Sequence, residues 1–180
     1  LTSPYLMITE ENVPSVRGAS QVFGLSFTPG PWIESIQITK GAGSVVNGFE
    51  SISGQINTEL LKPMTDIPFF LNFYGSTDAR FELNANINHK ISDKWATSLF
   101  MHGNMRDSKN DMNDDGFLDN PLQKQINIFN RYQYANAETG WVSFINFQYL
   151  NDEKLMGQVD FDPDTDRGTT NAWGSEIDTE

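Results

Sequence analysis

The 180-residue sequence contains no cysteine, so it offers no disulfide, no thiolate metal site and no cysteine nucleophile. No apolar run approaches the roughly 18–20 residues that a membrane-spanning helix needs. The first residues show no charged segment followed by an apolar core, so we expect no signal peptide there. The lack of cysteine leaves the redox compartment open, and any membrane crossing would have to use strands.

Positive charge is scarce as well, with 12 Lys and Arg against 24 Asp and Glu, which gives a net charge of −12. Because no basic stripe is available for phosphate contacts, the composition excludes nucleic acid as a natural partner. The acidic residues are concentrated, since 14 of the 24 lie within Asp107–Asn120 and Asn151–Glu180. We expect these two stretches to be solvated loops.

The composition predicts a mainly β chain, because Leu, Ala and Lys are sparse whereas Asn, Phe, Thr, Ser and Gly are abundant. Two parts are distinguished, residues 1–63 and residues 64–180, with the boundary in the polar connection Lys62–Pro68. The first part carries short apolar strands between turns. The second part is a series of about five alternating segments of roughly ten residues, the pattern of transmembrane strands.

The clearest alternating segment is Arg80–Lys90, whose apolar and polar residues occupy opposite faces of a strand. Ten residues at about 3.3 Å each, tilted by about 45°, span roughly 23 Å, close to the apolar band of an outer-membrane barrel. Alternation alone also fits a soluble sheet. The apolar face is formed by Phe81, Leu83, Ala85 and Ile87, and the polar face by Arg80, Glu82, Asn84, Asn86 and Asn88.

Short and long connections alternate along the second part, as in barrels with short periplasmic turns and longer external loops. Ser92–Lys94 and Ala137–Gly140 are short, whereas Asp107–Pro121 and the segment from Asn151 are long and acidic. Aromatic residues adjoin the short turns, which predicts a girdle at one membrane interface, although any single tryptophan could equally fill a soluble core. These residues are Trp95, Trp141, Tyr132 and Tyr134.

The segment Ile33–Asn57 resembles the end of the plug domain in TonB-dependent outer-membrane receptors. The match is ungapped and is carried by a strand, a Gly-rich turn and a return strand. The sequence departs from the family pattern at four positions, Ala42, Asn47, Glu50 and Ser53. In these departures it resembles receptors of the Bacteroidetes type. The matching residues are Glu34, Ile36, Lys40, Gly41, Ser44, Gly48, Ile52, Gly54, Ile56 and Asn57.

The resemblance implies a fragment: the C-terminal part of a plug domain, followed by the first antiparallel strands of a large and here incomplete transmembrane β-barrel. It implies a cell outer-membrane location, contact with outer-membrane lipid, and coupling to the TonB complex through an N-terminal region that is not in this sequence. The implied function is energy-coupled uptake of a scarce siderophore, metal chelate, cobalamin or glycan-type ligand. The implied lumen-facing residues are Arg80, Glu82, Asn84 and Arg131.

The long acidic loop contains the first half of a calcium-binding motif, D-x-[DN]-x-[DN]-G, beginning at Asp111. Leu122 stands where the motif requires a bidentate glutamate, so a solvated loop of Asx-turns is the alternative. Any role would be loop stiffening rather than catalysis, and no cofactor is required. The predicted calcium ligands are Asp111, Asn113, Asp115, the carbonyl of Phe117, and Asp119.

The sequence gives less support to other functions. Ser98 and His102, the best nucleophile and base, are about 13 Å apart along a strand, which is too far for hydrolysis and predicts no enzyme. Lys40–Ser44 lacks the spacing of a phosphate-binding loop, since its lysine precedes the glycines. A non-transporting outer-membrane barrel with a surface-binding or adhesin role remains the main alternative, and a soluble β-sandwich is a third.

Overall fold

The computed structural model describes residues 5–180, except for the side chain of Ala19. The chain is mainly β, as predicted, and divides into two compact units between Asp66 and Ile67. No helix among the described residues is long and apolar enough to cross a membrane.

The first unit is a four-stranded mixed sheet in the order β2-β1-β4-β3. The central strands β1 and β4 are parallel, and both outer strands pair antiparallel to their neighbours. The strands are β1 (Leu6–Glu10), β2 (Val13–Pro14), β3 (Ile33–Lys40) and β4 (Gly54–Leu60), and the 3-10 segments are Gly18–Phe27, Gly30–Trp32, Val45–Asn47 and Phe49–Ser51.

The core of the first unit lies over the central pair of strands, because β1 and β4 carry most of its apolar side chains. Trp32 and Leu60 are almost completely buried, at 1% and 0% exposure. The connection from β3 to β4 contains two 3-10 turns and is therefore longer than the tight turn that the sequence predicted. The other buried apolar residues of this unit are Met7, Ile8, Phe27 and Ile56.

The second unit is a six-stranded antiparallel sheet in sequence order from β5 to β10. Each strand pairs with the next through a continuous register, and β5 and β10 have one partner each, so the sheet is open. The strands are β5 (Phe69–Gly75), β6 (Arg80–Lys90), β7 (Trp95–Arg106), β8 (Leu122–Asn136), β9 (Trp141–Gly157) and β10 (Gly174–Thr179), and a single helical turn, α1, spans Pro163–Asp166.

The sequence prediction was wrong for the segment after Asn151, which was assigned to an acidic loop. Strand β9 continues to Gly157, and Gly174–Thr179 forms the sixth strand against it. No strand signal for β10 is visible in the sequence, because Glu176 and Asp178 have low strand propensity. Backbone pairing with β9 overrides that preference in the structure. The short connections at Ser92–Lys94 and Ala137–Gly140 agree with the prediction.

A glycine at the start of β4 is required by both its backbone and its surroundings. Gly54 has φ +151°, and a Cβ there would lie 2.6 Å from the carbonyl oxygen of Thr39. We predict that Gly54→Ala weakens the β3–β4 end by about 1–3 kcal/mol. Because Lys40 pairs with Gly54, native-state trypsin cleavage after Lys40 should become at least about fivefold faster.

Gly30→Ala is the matched control, because Gly30 does not have positive φ and a Cβ there would meet no atom within 4 Å. Equal cleavage rates in the two variants would show that the Gly54 backbone is not under this constraint.

Candidate functional site

The second unit has an inverted distribution of polarity, in which the buried face of the sheet is polar. On β6, β7 and β8 every second side chain points to this face, and most of them carry amide, hydroxyl, imidazole or guanidinium groups. We call it the polar face. Its buried residues on these strands are Asn84, Asn86, Asn88, Ala96, Ser98, Phe100, His102, Asn104, Gln125, Asn127, Phe129, Arg131 and Gln133.

The opposite face, here called the apolar face, is exposed. Leu71 is 59% exposed, Leu83 is 50% exposed and Phe147 is 63% exposed, although all three are large apolar side chains. A soluble antiparallel sheet places its apolar face on a core and its polar face in water, so this arrangement is the reverse. Exposed apolar residues on this face are Phe69, Leu71, Phe73, Phe81, Leu83, Ile87, Trp95, Met105, Ile126, Ile128, Trp141, Ile145, Phe147 and Tyr149.

The apolar face is bounded by Trp and Tyr residues at one end and by charged residues at the other. At the short turns, the rings of Trp95 and Tyr134 lie 5.1 Å apart, and Tyr132 and Trp141 share this end and this face. Going from Tyr134 along β8, the first charged residue on the face is Lys124, beside Glu153 of β9. Ten residues of tilted strand correspond to roughly 23 Å of apolar height.

Three of the four residues that were predicted to face a lumen form one hydrogen-bonded chain on the polar face. Arg80 pairs with Glu82 at 2.9 Å, and the Asn84 amide donates to Glu82 at 2.9 Å. His102 continues the chain, with Nδ1 2.7 Å from Oδ1 of Asn84 and Nε2 3.0 Å from Oε1 of Gln125. Side chains from β6, β7 and β8 are thereby joined through polar contacts.

The fourth, Arg131, is on the same face but in a different environment. Its guanidinium carbon lies 3.9 Å from the ring centroid of Phe144, a cation–π contact between β8 and β9. Phe129 is apolar but also lies on the polar face, where it packs against Phe100 with the ring centroids 6.0 Å apart. The polar face therefore includes a small aromatic contact beside its network.

Ser98 and His102 do not contact each other through their functional groups. The Ser98 hydroxyl donates to Oδ1 of Asn88, whereas both ring nitrogens of His102 face amide oxygens. The two residues thus act as separate members of the polar face.

At the loop end of the sheet, Asp78 lies in the turn between β5 and β6. The hydroxyl of Ser76 donates to Asp78, and this bond holds the pKa of the carboxyl below its ordinary value against an opposing effect of desolvation. Arg106 pairs with Asp78 at 3.2 Å and favours the same charged form. The turn is therefore tied to β7 by an ionic contact.

In the first unit, the residues of the Ile33–Asn57 segment shape a connection and a strand. Gly41 and Gly48 have φ values of +85° and +70°, and Ser44 caps a 3-10 turn by accepting the N–H of Val46 at 3.4 Å. Glu34 pairs with Lys62, and Lys40 and Gly54 face each other at the end of β3 and β4.

Asn57 is the most connected of these residues and is 2% exposed. Its Oδ1 accepts the Thr9 hydroxyl and the Asn12 N–H, both at 2.8 Å, and its amide donates to Gln37 at 3.5 Å. It therefore links β1, the turn after β1, and β3. The sequence pattern marked Asn57 but not Thr9 or Asn12, because their contact spans more than 40 residues of chain.

The predicted cation loop is held by its own Asx-turns. Asp111 accepts the N–H groups of Asp115 at 3.1 Å and Gly116 at 2.8 Å, and Asp119 accepts that of Met112 at 2.9 Å. Among residues 5–180, no group of three or more His, Cys, Asp or Glu side chains is arranged to hold a metal. Calcium binding by Asp111, Asn113, Asp115, Phe117 and Asp119 stays a prediction.

The long loop also joins the segment after β9. Phe117 bridges to Gln158, Leu118 donates to the carbonyl of Gly157 at 2.9 Å, and the ring of Phe117 meets that of Trp173 at 6.2 Å. The two acidic stretches therefore pack together at the loop end of the sheet.

No protein-family model and no curated protein sequence matches the chain.

Sequence reasoning missed two contacts of the polar network, that of Gln125 with His102 and that of the buried pair Asp152 and Lys154 on β9. Period-two alternation placed Gln125 on the polar face, but it does not show which partners a side chain meets. Asp152 and Lys154 were missed because they were assigned to a loop.

We predict that His102→Ala destabilises the protein by about 1–3 kcal/mol, because Asn84 and Gln125 lose a buried partner. The urea midpoint, followed by far-ultraviolet circular dichroism, should fall. His89→Ala is the control, because His89 lies exposed near the end of β6. Equal midpoints for the two variants would contradict a structural role for the network.

Proposed function

We propose that this chain belongs to a TonB-dependent outer-membrane receptor that takes up a scarce ligand with energy from the TonB complex. The observation that carries the proposal is the reversed polarity of the six-stranded sheet. A buried face of amides and charges behind an exposed face of Leu, Ile and Phe suits a wall between lipid and a polar lumen.

Lipid is the surrounding that best accounts for the apolar face. Monomeric soluble proteins rarely expose contiguous apolar patches larger than a few hundred Å². Here exposed apolar residues cover five adjacent strands. The estimated height of roughly 23 Å and the aromatic residues at one limit match the apolar band and girdle of an outer-membrane barrel. Six strands leave the sheet open, so the proposal includes further strands that close it.

The first unit supports a gated transporter over a plain barrel. The resemblance to a plug rests on the Ile33–Asn57 segment, where Asn57 and the positive-φ glycines organise a compact mixed sheet. A porin or an adhesin needs no such unit before its first transmembrane strand. Arg80, Glu82, Asn84 and Arg131 would face the lumen, where polar side chains can exchange partners without exposing apolar surface.

The experiment that tests the function is uptake by cells that carry or lack TonB, after fractionation of their membranes. We expect the protein in the outer membrane, with mobility on gels that changes on heating, and growth on a limiting nutrient that requires both the receptor and TonB. A heat-modifiable membrane protein without TonB-dependent uptake would favour the surface-binding barrel. A soluble, heat-insensitive product would contradict both.

A pair of arginine substitutions separates lipid exposure from water exposure. Ile128 occupies the middle of the apolar face and is 40% exposed, whereas Met112 is 90% exposed in the acidic loop. We predict that Ile128→Arg costs about 2–4 kcal/mol and strongly reduces the heat-modifiable fraction, as arginine does at a bilayer midplane. Met112→Arg should leave that fraction unchanged. If both variants are tolerated equally, the apolar face does not contact lipid.

A further inference from the structure

The apolar face is interrupted by a groove at Gly103 of β7. In the register of the sheet, Leu83 of β6 and Ile126 of β8 flank Gly103, which contributes no side chain between them. The resulting depression is wide open on the exposed face and has a volume of about 390 Å³. We call it the Gly103 groove.

The walls of the groove are apolar and partly aromatic. Phe73 and Phe81 stack with their ring centroids 6.4 Å apart and their planes inclined by 29°. Leu83, Met105 and Ile126 also line the groove on the exposed face. An alkyl chain is the chemistry that such a surface accommodates, because it offers dispersion contacts and no hydrogen bonds.

The glycine is not explained by backbone geometry. Gly103 lies inside a strand without positive φ, and a Cβ there would meet nothing nearer than the carbonyl oxygen of Gln125 at 4.0 Å. A glycine in a strand interior weakens the strand and often marks a place where another molecule approaches. Its effect here is to keep the groove open.

One basic side chain lies at the loop end of the groove. Lys124 lines it, pairs in register with Met105, and is the first charged residue on the apolar face of β8. The polar lining residues Glu82, Asn104 and Gln125 belong to the opposite face, by their place in the strand alternation. Lys124 therefore provides the positive charge where the apolar surface ends.

We propose that the Gly103 groove binds one acyl chain of an anionic, phosphate-bearing membrane lipid, with the phosphate on Lys124. The inference rests on the proposed membrane location and adds a lipid site to the outer wall. An ammonium group at the limit of an apolar band complements a lipid phosphate, while the acyl chain fills the space that Gly103 leaves. Glu153, beside Lys124 on β9, would limit the affinity for negative charge.

The test is native mass spectrometry of the membrane-extracted protein in detergent, titrated with dioleoyl phosphatidylglycerol or with dioleoyl phosphatidylcholine. We expect one tightly bound lipid and about fivefold tighter binding of phosphatidylglycerol, the effect of one lysine near an anionic surface. Gly103→Leu should remove that site for both lipids, because its side chain occupies the groove. Lys124→Gln should abolish the preference and leave phosphatidylcholine binding unchanged.

Two substitutions serve as controls. Ala85→Leu adds a similar side chain to the apolar face outside the groove lining, and Lys94→Gln removes a lysine at the short-turn end of the sheet. Both should bind lipid as the wild type does, and heat-modifiable mobility verifies that every variant is folded.

Retention of the bound lipid in Gly103→Leu, or of the preference in Lys124→Gln, would overturn the lipid site and leave the receptor proposal intact. A wild-type protein that never enters membranes would overturn both.

Discussion

An uninterrupted antiparallel register from β5 to β10 is the constraint on which the second unit depends. Because side chains alternate with a period of two, a one-residue slip between β6 and β7 would place Asn84 and His102 on opposite faces and break the contact between them. The register is reinforced by polar side-chain contacts between strands, such as that of His102 with Asn84 at 2.7 Å. The same contacts satisfy groups that would otherwise be costly to bury.

Because the register is fixed, the two faces of the sheet differ in composition and in the surroundings that suit them. The polar face is a network of amides, a histidine and paired charges, which supports the proposal that it faces a polar lumen. The apolar face carries no charged residue on β8 between Tyr134 and Lys124, which supports contact with lipid along that length. In the first unit, Asn57 has a comparable role, since one buried amide joins three parts of the mixed sheet.

The sequence was informative where a pattern is local. Alternation predicted the faces of β6, and it placed Phe129 on the polar face and Asn130 on the apolar face of β8. The structure explains both exceptions, since Phe129 pairs with Phe100 and the Asn130 amide donates to the carbonyl of Ser98 at 2.9 Å. Strand β10 and the contact of Asn57 with Thr9 could not be predicted, because they depend on partners distant in sequence or on ladder pairing that overrides composition.

The most direct test of the reversed polarity is site-directed spin labelling along β8, from Gln125 to Phe129, in the protein reconstituted into lipid vesicles. The sequence has no cysteine, so each introduced cysteine carries the only label. Labels at 126 and 128 should be relaxed strongly by oxygen, which dissolves in lipid, and weakly by a water-soluble nickel chelate. Labels at 125, 127 and 129 should show low oxygen accessibility. Equal accessibility of all five positions to the aqueous chelate would contradict the account.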